Sequence, residues 1–161
     1  MRFLGNTEAK TDSKGRVFLP AVFRKALQAA GEESVVLRKD VFQPCLVLYP
    51  QSVWFEQMDA LRARLNRWNA AHQQLFRQFV ADAEQLTIDA SGRILLPRRY
   101  LAMAGIEQGV RFIGMGDTIE IWCDERARSP FVEPEEFGEA ISRIMNTPAP
   151  DAESAPVTGG E

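Results

Sequence analysis

Two arginines, Arg16 and Arg93, occupy the same place in a phrase that the chain carries twice. The first copy reads Asp12-Ser13-Lys14-Gly15-Arg16-Val17-Phe18-Leu19-Pro20. The second reads Asp89-Ala90-Ser91-Gly92-Arg93-Ile94-Leu95-Leu96-Pro97, 77 residues further on. A guanidinium offers five donors in a planar fork, which matches phosphate oxygens or the edge of a guanine. Lys14 adds a cation to the first loop where the second has Ser91. The same spacing lets Asp12 pair with Arg16 and Asp89 with Arg93, so an ion pair that locks the turn is the competing role. The two combine if Asp12, Gly15, Asp89 and Gly92 orient the loops while Lys14, Arg16 and Arg93 project from them. Arg24, Lys25, Arg98 and Arg99 follow the two prolines. They could extend the basic surface of the loops, Arg24 foremost, against the simpler reading of a solvated helix face.

Other chemistry has little to build on. The single histidine, His72, lies in a helical stretch beside Ala71 and Gln73, with no serine or cysteine nucleophile near it in sequence. Cys45 and Cys123 lack metal-ligand spacing and fit buried strand positions. The acidic pairs Glu32-Glu33 and Glu135-Glu136 sit at helix ends or toward the acidic tail, and no glycine-rich phosphate cradle is present. The reading is a non-enzyme without metal, cofactor or small-molecule substrate.

The elements around the loops repeat in the same order. Residues 7–19 alternate apolar and polar around the turn, as two short strands do. Gly15 supplies the positive φ that such a turn wants, and Asp12 can bond its backbone. Pro20 suits the first turn of a helix over 20–30, and strands follow at 34–37 and 45–49. The second half gives a strand at 86–88, a turn at 89–92, a return strand at 93–96, a helix from Pro97, and strands at 110–113 and 118–122. Each unit of about fifty residues is too small to bury a good core alone, so the two share one.

Between them, 51–82 reads as a helical insertion that Ser52 could cap. Trp54, Leu61, Leu65 and Trp68 form one apolar stripe, for either the intrachain core or a subunit interface. A last helix is expected at 134–145. The division is thus 1–50 first repeat, 51–82 insertion, 83–128 second repeat, 129–146 C-terminal helical segment and 147–161 disordered acidic tail.

The 161 residues carry a net charge of −3, unevenly spread. Residues 1–50 hold eight Lys/Arg against five Asp/Glu, 51–85 and 86–128 are balanced, and 129–161 hold one basic against seven acidic residues. Charge counting therefore favours the first loop as the main anion contact, with the second serving the shared core as much as a ligand. No leader or membrane-spanning stretch is apparent, so the cytoplasm is the default location.

With Phe3-Leu4-Gly5-Asn6, the two Asp-x-x-Gly-Arg copies, Leu19-Pro20, Pro44 to Pro50 with Trp54, Gly105 and Ile119-Glu120-Ile121-Trp122, the chain resembles the MraZ family of bacterial transcriptional regulators. The resemblance covers about residues 1–145. It implies an α+β fold: a duplicated AbrB-like (SpoVT-AbrB domain) swapped-hairpin β-barrel with short helices, plus the helical insertion and C-terminal helix. It also implies a nucleoid-associated, ring-like homo-oligomer. That assembly would bind direct repeats in double-stranded promoter DNA of the division and cell-wall gene cluster, its own promoter included, typically as a repressor. The DNA-facing role falls on Arg16 and, by the internal match, on Arg93. Arg98-Arg99-Tyr100 departs from the family pattern of small or apolar residues. The alternative is an antitoxin-like module that grips a protein partner.

Overall fold

The structure is a computed structural model that describes residues 1–126 and 130–150. It divides into two compact units, Met1–Ala127 and Arg128–Glu161. In the first unit the order is β1 (Asn6–Lys10), β2 (Arg16–Phe18), α1 (Ala21–Ala29), β3 (Ser34–Lys39), β4 (Leu46–Pro50), α2 (Gln51–Arg64) and α3 (Ala70–Ala81). It continues with β5 (Glu84–Thr87), β6 (Arg93–Leu95), α4 (Arg98–Met103), β7 (Gly109–Gly114) and β8 (Ile119–Cys123), then a short 3-10 turn at Asp124–Arg126. The second unit holds α5 (Pro134–Met145). The expected tail from 147 lies outside the described residues from 151 onward.

This is a mixed α and β architecture built on antiparallel strands. Six strands form one sheet in the order β1-β7-β8-β4-β3-β5, and β2 and β6 form a separate two-stranded ribbon. Among the described residues no ladder closes the sheet into a barrel: β1 and β5 are its edges. The chain does not fold as two separate hairpin units. β1 pairs with β7 of the second half, and β5 pairs with β3 of the first. In the ribbon, Val17 sits opposite Ile94, its counterpart in the repeated phrase, with Arg16 opposite Leu95 and Phe18 opposite Arg93. At the sheet centre Val47 faces Glu120, flanked by Leu46–Ile121 and Leu48–Ile119. Registers in which a strand meets its own counterpart about a central pair are those of two strands related by a two-fold axis.

The shared core explains the exchange. Phe3, Val17, Leu19, Phe23, Leu37, Leu48, Ile94, Leu96, Tyr100, Phe112 and Ile121 are buried in one cluster drawn from both halves. In the ribbon the period of two turns Val17 and Ile94 inward and leaves Phe18 and Leu95 exposed. A two-stranded ribbon is marginal alone, and these inward side chains tie it to the rest.

The insertion forms two helices, and the expected single apolar stripe does not run through both. It breaks after Arg64, where Leu65 turns extended and Asn69 caps α3 by accepting from the N–H groups of Ala71 and His72. His72 Nδ1 accepts from the Asn66 N–H at 2.9 Å, a turn-closing role. The apolar stripe therefore splits. Trp54 is buried, stacked on Phe79 with ring centroids 5.0 Å apart and edge-on to Tyr49 at 5.2 Å. Trp68 stands 96% exposed in the break. Ser52 does not cap α2: it lies one residue inside the helix, and its hydroxyl bonds the Glu32 carboxylate. Both Pro20 and Pro97 stand just before their helices rather than in the first turn. Arg38, buried in β3, donates through Nε to the Phe79 carbonyl at 3.0 Å and lies over the Phe79 ring, which binds α3 to the sheet.

Candidate nucleic-acid interface

The two loops are built alike, atom for atom. In the first, one Asp12 carboxylate oxygen accepts from the backbone N–H groups of Lys14 and Arg16, each at 2.9 Å, and the other accepts from Arg16 Nε at 2.7 Å. In the second, Asp89 accepts from the N–H groups of Ser91 and Arg93 at 2.9 Å and from Arg93 Nε at 3.1 Å. The backbone closes each turn the same way, with Asp12 N–H bonded to the Arg16 carbonyl and Asp89 N–H to that of Arg93. These bonds hold both carboxyls below the usual aspartate value, the arginine backbone N–H being the largest cause in each. Gly15 and Gly92 sit at φ 88° and 85°, a region open to glycine at little cost.

Each aspartate bonds Nε of its arginine. The terminal Nη1 and Nη2 groups of Arg16 and Arg93 carry no hydrogen bond to the described residues. Locking and projecting are therefore compatible: the inner edge of the fork sets its direction and the outer edge stays available for bidentate contact. Both arginines are half-exposed, and the ribbon's outward Phe18 and Leu95 lie between them as their cross-strand partners. Arg93 is also 5.8 Å from the Phe18 ring centroid. The Lys14 side chain is exposed at the first loop tip.

The other basic residues divide. Arg99 donates to Glu84 at 3.3 Å and to the Tyr100 hydroxyl at 2.8 Å, and the buried Tyr100 in turn donates to the Asp82 carbonyl at 2.7 Å. Its Nη2 group thus helps to hold α4 against β5 and the segment before it. Arg62 stacks over Phe76, and Arg111 gathers Asn6, Glu8 and Asp124. Arg24 is placed unexpectedly. It follows Pro20 in the first half, yet its side chain covers Gly92 of the second loop. It also lines a cleft of about 650 Å³ with Glu32, Glu33, Asp89, Ala90 and Ser91. Nothing in its local sequence signals this position, because it follows from the exchange of elements between halves.

Cys45 and Cys123 are buried and unpaired, and burial pushes the Cys45 thiol well above its ordinary value. Among the described residues no group of three or more His, Cys, Asp or Glu is placed to hold a metal ion. No helix among them is long and apolar enough to cross a membrane.

A family described as "MraZ protein, putative antitoxin-like" matches residues 2–77 and 79–128. The chain belongs to the MraZ family. A "Transcriptional regulator MraZ" of Phocaeicola vulgatus is 64% identical over 147 residues, covering 91% of this chain and 96% of that one. Its namesake in Bacteroides thetaiotaomicron is 60% identical over 146 residues, 91% and 94% of the two chains. More distantly, the Gluconacetobacter diazotrophicus MraZ is 37% identical over 123 residues, 74% and 77% of the two chains. The matched MraZ segments contain both loops, both arginines and the helices beside them.

Proposed function

We propose that this chain is a sequence-specific DNA-binding transcriptional regulator. In this reading it represses the division and cell-wall gene cluster, its own promoter included, through direct repeats. The names of its relatives support regulation of transcription. The observation that carries DNA contact is the half-used fork: Arg16 and Arg93 are each aimed by an aspartate through Nε, with Nη1 and Nη2 left for a ligand. Lys14 and Arg24 complete the DNA-facing set, and Asp12, Gly15, Asp89 and Gly92 orient it. The protein acts in the cytoplasm on the nucleoid, as a ring-like assembly of duplicated AbrB-like units.

The ring has a physical reason. Affinity grows with the number of phosphates neutralised, and one protomer of net charge −3 neutralises few. Several loops on one rigid assembly meet repeated sites at high effective concentration. The test is fluorescence anisotropy on a duplex from upstream of the chain's own gene. Arg16→Ala is expected to weaken binding at least about tenfold while leaving the thermal midpoint and assembly size unchanged; equal binding by that variant removes the loop assignment.

A second reading, an antitoxin-like module, draws on the family description and on α5. There Phe137, Ile141 and Ile144 are exposed at helical spacing, with Glu135, Glu136 and Glu139 on the same helix. A stoichiometric protein partner with no DNA shift would favour it.

A further inference from the structure

Arg24 and Leu101 are counterparts, separated by the same 77 residues as Arg16 and Arg93. Each reaches across to the other half's loop. A Cβ on Gly15 would meet the Leu101 side chain at 3.4 Å, whereas one on Gly92 would meet the guanidinium of Arg24. The difference compensates for another. The first loop carries its own extra cation, Lys14, and is covered by an apolar residue. The second has Ser91 at that place and is covered by an arginine. Counted in space rather than along the chain, each loop has two basic residues: Lys14 with Arg16, and Arg24 with Arg93.

We propose that Arg24 is the second phosphate-binding cation of the loop at 89–92, lent to it by the first half of the chain, so that both loops of one protomer engage the DNA backbone. The inference rests on the DNA-binding reading above. Among the described residues Arg24 has no ion-pair partner within 4.0 Å, although carboxylates line the same cleft. Asp89 is engaged by Arg93, Glu32 by the Ser52 hydroxyl, and Glu33 stands beside them. A half-exposed guanidinium without a fixed partner, at the shoulder of a loop whose arginine points outward, is free to take a phosphate oxygen.

The test is a double-mutant cycle on the full-length protein, read as affinity and salt dependence on the upstream duplex. Arg24→Leu is expected to weaken binding about tenfold. It should also lower the slope of log K against log salt by about 0.9 for each copy engaged. Arg24→Lys, which keeps the charge, should keep the slope. Arg24→Leu and Arg93→Ala should be non-additive because they share a phosphate cluster, while Arg24→Leu and Arg16→Ala should add. Coupling to Arg16 instead of Arg93, or an Arg24→Leu variant with parental affinity and slope, overturns the proposal. So does a lysine variant that behaves like leucine, since Arg24 would then merely pack over Gly92. A parental protein that binds no duplex removes the DNA-binding reading itself, which separates the two failures.

Discussion

At the scale of single residues, the aspartates are switches of loop order. Each carboxylate anchors two backbone N–H groups and one Nε, so its folded pKa lies below the unfolded value of about 3.9. A depressed carboxyl contributes stability that is present above the unfolded pKa and is lost as pH falls through the folded one. Asp12 and Asp89 are therefore expected to titrate below an unstructured aspartate in a carboxyl-detected NMR titration, and the loop amides should shift with them. An ordinary titration near 3.9 would contradict the anchoring. The two glycines give a sharper contrast. A Cβ at Gly15 would lie 2.6 Å from the Leu96 carbonyl oxygen, a backbone atom, whereas the one at Gly92 meets the flexible end of Arg24. Both alanine variants bear the cost of positive φ, about 1–3 kcal/mol. Gly15→Ala should cost more in urea unfolding than Gly92→Ala, and equal losses would mean that the carbonyl gives way.

At the scale of elements, the helices matter by what they pin. Trp54 joins α2 to β4 and α3 through Tyr49 and Phe79, so Trp54→Ala should cost about 3–5 kcal/mol in chemical denaturation. Trp68→Ala should be nearly silent in the same experiment, because that side chain touches mostly solvent. Tyr100→Phe strips the part-buried Asp82 carbonyl of its donor and should cost about 1 kcal/mol, with DNA affinity unchanged. Most element positions were legible from periodicity: β2, β6, α1 and α5 fall within a residue or two of the expected ranges. The insertion was less so. Leu65 and Trp68 continue a helical spacing on paper, but Asn66 and Asn69 bind local backbone and stop the helix.

At the scale of the whole molecule, the exchange of strands changes what the charges mean. Counting along the chain puts the positive excess in the first half and makes the second loop the weaker partner. The fold moves Arg24 from that half onto the second loop, which evens the pair. If the protein works as proposed, Arg93→Ala should cost DNA affinity comparable to Arg16→Ala in the anisotropy assay. A loss confined to Arg16→Ala would restore the unequal pair. The ring reading adds an expectation for light scattering: a mass that is a multiple of 18.1 kDa in the DNA-binding state. DNA binding by a monomer would remove the avidity argument.

The repeated phrase was enough to read the two loops, their aspartate anchors and their arginines. All of these depend on contacts within five residues, and short-range stereochemistry carries them. The same residues left open whether each arginine locks its turn or projects. That answer lies in which nitrogen of the fork the aspartate takes, a matter of side-chain geometry. The pairing of β1 with β7 and β5 with β3, the inward facing of Val17 and Ile94, and the seat of Arg24 over Gly92 had no local signal at all. They follow from burial of one core by two halves too small to bury their own, and that choice exists only in three dimensions.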